Sequence, residues 1–136
     1  MFISLTECNG LVKVIDLRNG QSAQSGTIYS PGYPNSYEIN KDCKWRILAP
    51  FDQKVLIFFT LLDLEYDANC IYDSVKIFDG SSDSYWNKVL TKSYNGLPPP
   101  FYSSDRYIYV RFQSDNSLQG EGFVAHYKAL NDSSGD

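Results

Sequence analysis

The stretch Tyr107-Ile108-Tyr109-Val110-Arg111-Phe112 settles the fold class. Its side chains alternate, placing Ile108, Val110 and Phe112 on one face and Tyr107, Tyr109 and Arg111 on the other. A period of two in β-branched and aromatic residues predicts a half-buried strand. Residues 123–128 repeat the pattern, with Phe123, Ala125 and Tyr127 on one face and His126 opposite, facing solvent. Residues 44–48, 55–62 and 74–78 read as further strands, and residues 11–17 as an opening one. The 55–62 run is apolar on both faces, which predicts a central strand covered on each side. Turn chemistry separates these runs at Asn19-Gly20, Ser30-Pro31-Gly32, Tyr33-Pro34-Asn35, Asp79-Gly80, Asn95-Gly96 and Gly120-Glu121-Gly122. Pro98-Pro99-Pro100 bars its segment from any central ladder. There is no helical stripe and no internal repeat. The expectation is an all-β chain, an antiparallel β-sandwich of jelly-roll-like type, with Tyr107 and Tyr109 exposed.

Composition agrees. A chain of 136 residues fits one domain, and 43% hydrophobic with 21% charged residues excludes disorder for its body. Eleven Tyr and eight Phe against five Ala favour sheet over helix. The net charge of −4 argues against a nucleic-acid binder and against a polybasic membrane anchor. No run reaches the 18 or so apolar residues that a bilayer-spanning helix needs, and residues 1–5 do not read as a signal peptide. The tail at residues 131–136 is polar.

The inventory of reactive groups is short. His126 is the single histidine, so a Ser/His/Asp or Cys/His site would have to use it, and its strand position argues against that. Cys8, Cys43 and Cys70 form no CxxC pair, which argues against structural zinc, and three cysteines leave one over if two pair. Gly120-Glu121-Gly122 precedes a strand, so it is not a phosphate loop. One acidic cluster stands out. Asp63, Glu65, Asp67 and Asp73 fall within eleven residues, with no Lys or Arg between Lys54 and Lys76. It is not an EF-hand, because Ala68 stands at the sharp turn and Ser74 at the twelfth place. It reads either as a solvated loop or as part of a hard-cation site completed by oxygens from elsewhere in the chain.

A set of ordered motifs carries a resemblance. Gly26-Thr27-Ile28-Tyr29-Ser30-Pro31-Gly32-Tyr33-Pro34-Asn35-Ser36-Tyr37 resembles the opening signature of CUB domains. Cys43-x-Trp45-x-Ile47-x-x-Pro50, Asp63-Leu64-Glu65 and Cys70-x-Tyr72-Asp73-x-Val75-x-Ile77-x-Asp79-Gly80 follow at the family's spacing. Phe112-x-Ser114-Asp115 and Gly122-Phe123-x-Ala125-x-Tyr127 complete the series. The likeness runs from about residue 26 to 128. It implies a lead-in over residues 1–25 with a first strand and Cys8, a core at 26–130 and a flexible tail at 131–136. It also implies an extracellular setting, secreted or in a receptor ectodomain, and a module that binds rather than cuts.

Many CUB domains hold calcium at one end of the sandwich. By resemblance the ligands here are Glu65, Asp73 and Asp115, with the carbonyl of Ser117. Tyr37 resembles the tyrosine that hydrogen-bonds to them. Leu118 stands where an Asn often supplies a ligand; Asn116 lies close by, and water is expected to fill the place. In calcium-type members a Lys or Arg of a partner protein pairs with the ligand carboxylates, which would here be Glu65 and Asp73 beside Tyr37. Partners would therefore be proteins presenting a basic side chain, or other modules of the same parent chain, with no nucleic acid and no membrane insertion. The alternative function is a glycan-binding sandwich. The family commonly has two sequential bridges, which implies Cys8–Cys43, whereas Asn95-Gly96 replaces the Cys-Gly expected opposite Cys70. Cys70 is then a buried thiol, an intermolecular bridge or a bridge to a segment elsewhere.

Overall fold

The structure is a computed structural model, and it describes residue 8 and residues 10–18, 24–64, 73–92, 96–116 and 120–131. Nine strands form among these: β1 (Val12–Asp16), β2 (Ser25–Tyr29), β3 (Asp42–Leu48), β4 (Gln53–Asp63) and β5 (Ser74–Phe78), then β6 (Lys88–Lys92), β7 (Phe101–Tyr102), β8 (Tyr107–Gln113) and β9 (Gly122–Asn131). A single 3₁₀ turn, Tyr85–Asn87, precedes β6. They build two sheets, ordered β1-β3-β8-β5-β6 and β2-β9-β4-β7. All pairings are antiparallel except β1 with β3, which run parallel. The β-sandwich expected from alternation is the one observed.

The inward faces follow the parity of the sequence. Trp45 and Ile47 of β3, Val75 and Ile77 of β5, and Ile108, Val110 and Phe112 of β8 form one wall. Val55, Ile57, Phe59 and Leu62 of β4 with Phe123 and Ala125 of β9 form the other. Phe123 sits where the walls meet, with its ring 5.4 Å from Phe112, 6.0 Å from Trp45 and 6.2 Å from Phe59. Burying one such side chain contributes about 1.5–3 kcal/mol, so the shared face holds the layers together.

Three expectations are corrected. Residues 55–62 are not covered on both faces. The inward parity of β4 shifts at a bulge between Phe59 and Leu61, so Leu62 is buried, whereas Leu56, Phe58 and Leu61 are half-buried outside and Thr60 is exposed. Tyr109 is buried rather than exposed, because Phe78 packs edge-on at 5.9 Å and the guanidinium of Arg46 lies over its ring. His126 is half-buried on the outer face of its sheet. Its Nδ1 meets the Thr27 hydroxyl at 3.1 Å, its Nε2 meets Thr60 at 2.8 Å, and Phe58 stacks on its ring.

Strands β2, β6 and β7 were not anticipated. Gly26 dilutes the strand pattern of Ser25–Tyr29, and β7 directly follows the three prolines. β7 pairs only with β4, as an edge strand next to prolines must. A disulfide joins Cys8 to Cys43, their Cα atoms 4.7 Å apart, and ties the lead-in to the buried face of β3.

Phe123→Ala should cost about 3–5 kcal/mol of stability in urea unfolding, whereas Phe51→Ala, at a side chain 82% exposed, should change it by no more than about 0.5 kcal/mol. Replacing Cys8 and Cys43 together by Ser releases a closed loop whose ends lie 35 residues apart in sequence. Chain-entropy reasoning sets that loss at about 4 kcal/mol, and the same urea experiment reads it.

Candidate metal and partner site

One pole of the sandwich gathers the ends of strands that the sequence places far apart. Asp73 immediately precedes β5, and Asp115 follows β8 by two residues. Because Ser74 of β5 opposes Gln113 of β8, the ladder brings both carboxyl-bearing residues to the same strand ends. Tyr37 comes from the loop between β2 and β3, with its ring edge-on to Phe112 at 5.3 Å, so the core itself aims the tyrosine.

Asp73 is the centre. It has no exposed surface, and the Tyr37 hydroxyl donates to its Oδ2 through a short hydrogen bond. The backbone N–H of Asp115 donates to Oδ1 at 2.9 Å. Burial pushes the Asp73 carboxyl above its usual range, and the neighbouring Asp115 charge pushes the same way, while the two donated hydrogen bonds pull back. The balance falls toward the proton, as for a carboxylate taken out of water with another beside it.

A second layer fastens the loops. The Ser114 hydroxyl donates to the Glu38 carbonyl at 2.7 Å and accepts from the Lys41 backbone N–H at 3.0 Å. Ser114 N–H donates to the Lys41 carbonyl, and Asn40 N–H to the Asp115 carbonyl. Ser30, buried, accepts from Phe123 N–H through its hydroxyl at 3.0 Å and stitches the first loop to the start of β9. Gly122, at φ +111°, could not carry a Cβ there without meeting that same hydroxyl. Ser30 and Ser114 stood in the motifs with no role assigned to them; their backbone partners leave no trace in residue type.

The sequence-derived set divides accordingly. Tyr37, Asp73 and Asp115 come together, and Asn116 lies exposed next to them. Glu65, Ser117, Leu118 and Cys70 lie outside the described residues. Among the described residues no three His, Cys, Asp or Glu side chains converge on one point. Asp63 of the acidic cluster ends β4 at this pole, where its Oδ2 accepts from Glu121 N–H at 3.1 Å. The donor set still fits a hard cation. A buried carboxylate with raised proton affinity beside a second carboxylate is a pair that a divalent ion would relieve.

The metal-free protein should show this at Asp73. A carboxyl whose native affinity for protons is raised favours the fold fully below the unfolded value of about 3.9, and that contribution is lost as pH rises through the higher native one. Asp73→Asn should therefore flatten the pH dependence of the melting midpoint in EDTA across that interval. Tyr37→Phe removes the donor to the ionised form and should lower neutral-pH stability by about 1.5–3 kcal/mol, read by urea unfolding in EDTA.

Comparison with known proteins is consistent with this geometry. The family model of the CUB domain matches residues 18–127. The Caenorhabditis elegans zinc metalloproteinase nas-39 is 35% identical over 111 residues, covering 80% of this chain and 12% of that protein. The full extracellular region of zebrafish Gpr126/Adgrg6 superimposes with a TM-score of 0.69 at 35% identity, over 92% of this chain and 15% of that one. The MASP-1 CUB2 domain, solved bound to Ca²⁺, superimposes with a TM-score of 0.71 at 27% identity, over 89% of this chain and 99% of that domain. The chain thus spans from 3% to 24% of the length of such curated relatives. A family match across most of its length, joined to this sandwich, makes the chain a member of the CUB domain family.

Proposed function

We propose that this chain is a non-catalytic interaction module whose calcium-ordered loops bind a basic side chain of a partner protein. CUB domains are extracellular modules, and the Cys8–Cys43 disulfide suits that compartment. The observation that carries the reading is Asp73, fully buried yet held between the Tyr37 hydroxyl and the Asp115 N–H. The solved relative with Ca²⁺ supports the choice of ion.

Glu65, Asp73 and Asp115 would hold the ion with the Ser117 carbonyl. Calcium would supply the positive charge that lets these carboxylates stay ionised side by side. Asp73 then remains fixed by Tyr37, and the backbone clips at Ser114 and Asn40 keep loop 38–41 against the Asp115 segment. A carboxylate oxygen of Glu65 would accept from a lysine or arginine, while Asp73 and Tyr37, both without exposed surface, would hold the loops in place from beneath. Individually weak contacts of this kind gain strength through avidity, and helping receptors or complexes to assemble is the role that follows.

Thermal melts in calcium and in EDTA test the reading. With affinity typical of extracellular modules, about 10⁻⁴–10⁻³ M, a hundredfold excess of calcium should stabilise by about 2.7 kcal/mol. Asp115→Ala should abolish the difference and leave the sandwich folded; identical melts for the parent chain would remove the metal from the reading. On lysine-derivatised resin, retention should require calcium and be lost in Glu65→Ala.

The glycan-binding alternative has one observation in its favour. Tyr85 and Trp86, 72% and 87% exposed, form an edge-on pair on the turn before β6, with Lys88 over the tyrosine ring. Competition of partner binding by free sugars, undiminished in EDTA, would favour it over the calcium pole.

A further inference from the structure

The opposite pole carries a different feature. Of the nine asparagines only Asn131 is followed, two positions on, by a serine or threonine, with a non-proline residue between: Asn131-Asp132-Ser133. That triplet is the acceptor pattern for N-linked glycosylation, which modifies surface asparagines of secreted proteins. Extracellular placement of the family makes the pattern meaningful here.

Asn131 is placed to receive the sugar. It is exposed and is the last residue of β9, opposite Gln53 at the start of β4. On the other side, among the described residues, β2 pairs with β9 as far as Ser25 opposite Lys128, and Ala129 N–H donates to the Gln24 carbonyl. The other end of β9, Gly122, pairs with Asp63 at the calcium pole. Ten strand residues lie from one end to the other, about 30 Å at the usual rise.

We infer that Asn131 is an N-glycosylation site, and that its glycan covers the pole opposite Tyr37, Asp73 and Asp115, leaving that site open. In the transfer, Asn131 Nδ2 bonds to C1 of an oligosaccharide carried on a lipid pyrophosphate. The C1–O bond to pyrophosphate breaks, the lipid pyrophosphate departs with the electron pair, and the carboxamide gives up one proton. The secretory pathway supplies the lipid-linked sugar. The modification does not depend on whether the far pole holds calcium.

The test is secretion of the full chain from a eukaryotic host, followed by peptide mass mapping before and after treatment with a peptide N-glycosidase. The peptide containing Asn131 should carry hexosamine-based sugar, and the enzyme should remove it, leaving a carboxylate in place of the carboxamide. Asn131→Gln and Ser133→Ala should each secrete the unmodified form, whereas Ser133→Thr should keep the sugar. An unmodified Asn131 in the secreted parent chain would overturn the assignment, as would a mobility shift that survives Asn131→Gln. The calcium-dependent change in melting midpoint should be equal in the glycosylated chain and in Asn131→Gln. A change altered by the missing glycan would overturn the separation of the two poles, while loss of calcium response in both would count against the metal reading and leave the glycan standing.

Discussion

A carboxylate kept wholly out of water must be answered by donors, and Asp73 is answered by two that arrive from other parts of the chain. One comes from Tyr37, 36 residues before it, and the other from the backbone of Asp115, 42 residues after it. Neither reaches Asp73 unless β5 and β8 lie in register and Phe112 presents its face to the tyrosine. The pole is therefore a consequence of the core. The same enclosure raises the affinity of Asp73 for a proton, so the group that constrains the fold is also the one on which the proposed calcium reading rests.

The outer face of the five-stranded sheet shows the contrasting way of holding charge. Arg111 lies between two aspartates, with Asp42 bound in two-pronged fashion at 2.8 and 2.9 Å and Asp83 at 3.3 Å. Hydrogen bonding to Arg111 lowers the Asp42 carboxyl, and Lys44 and Lys76 act in the same direction by charge. Asp42 is satisfied within the fold, whereas Asp73 is confined with a like charge beside it. That difference, more than the number of acidic residues, separates a structural carboxylate from a candidate ligand. It also explains Tyr109: Asp83 draws the loop after β5 toward Arg111, and the Ser81 carbonyl holds Arg46 over the tyrosine ring, closing a face that alternation alone leaves open.

Much of the fold was legible because apolar alternation reports directly on burial. β5 spans Ser74–Phe78 as read, and β8 and β9 extend their expected runs by only a few residues. The strands that escaped, β2, β6 and β7, are short and sit at sheet edges, where half the ladder is missing and the pattern is correspondingly weak. The β4 bulge escaped as well, since a run apolar on both faces looks the same in either parity and only pairing with β9 reveals the shift at Thr60. At the site, Tyr37, Asp73 and Asp115 stood out through ordered motifs, while the hydroxyl clips of Ser30 and Ser114 did not. Their partners are backbone groups, which every residue owns.

Local chemistry thus carried the chain as far as an all-β sandwich with an acidic cluster after one of its strands, and the family resemblance alone placed that cluster at one end. Period-two patterns and turn residues act over a few positions and are written in residue type. The meeting of Tyr37 with Asp73, the closing of Cys8 onto Cys43 and the placing of Asn131 at the far end of β9 belong to strand register and to the packing of two sheets. Such contacts depend on which strand ends lie side by side, and a linear order of residues does not state that until the ladders have formed.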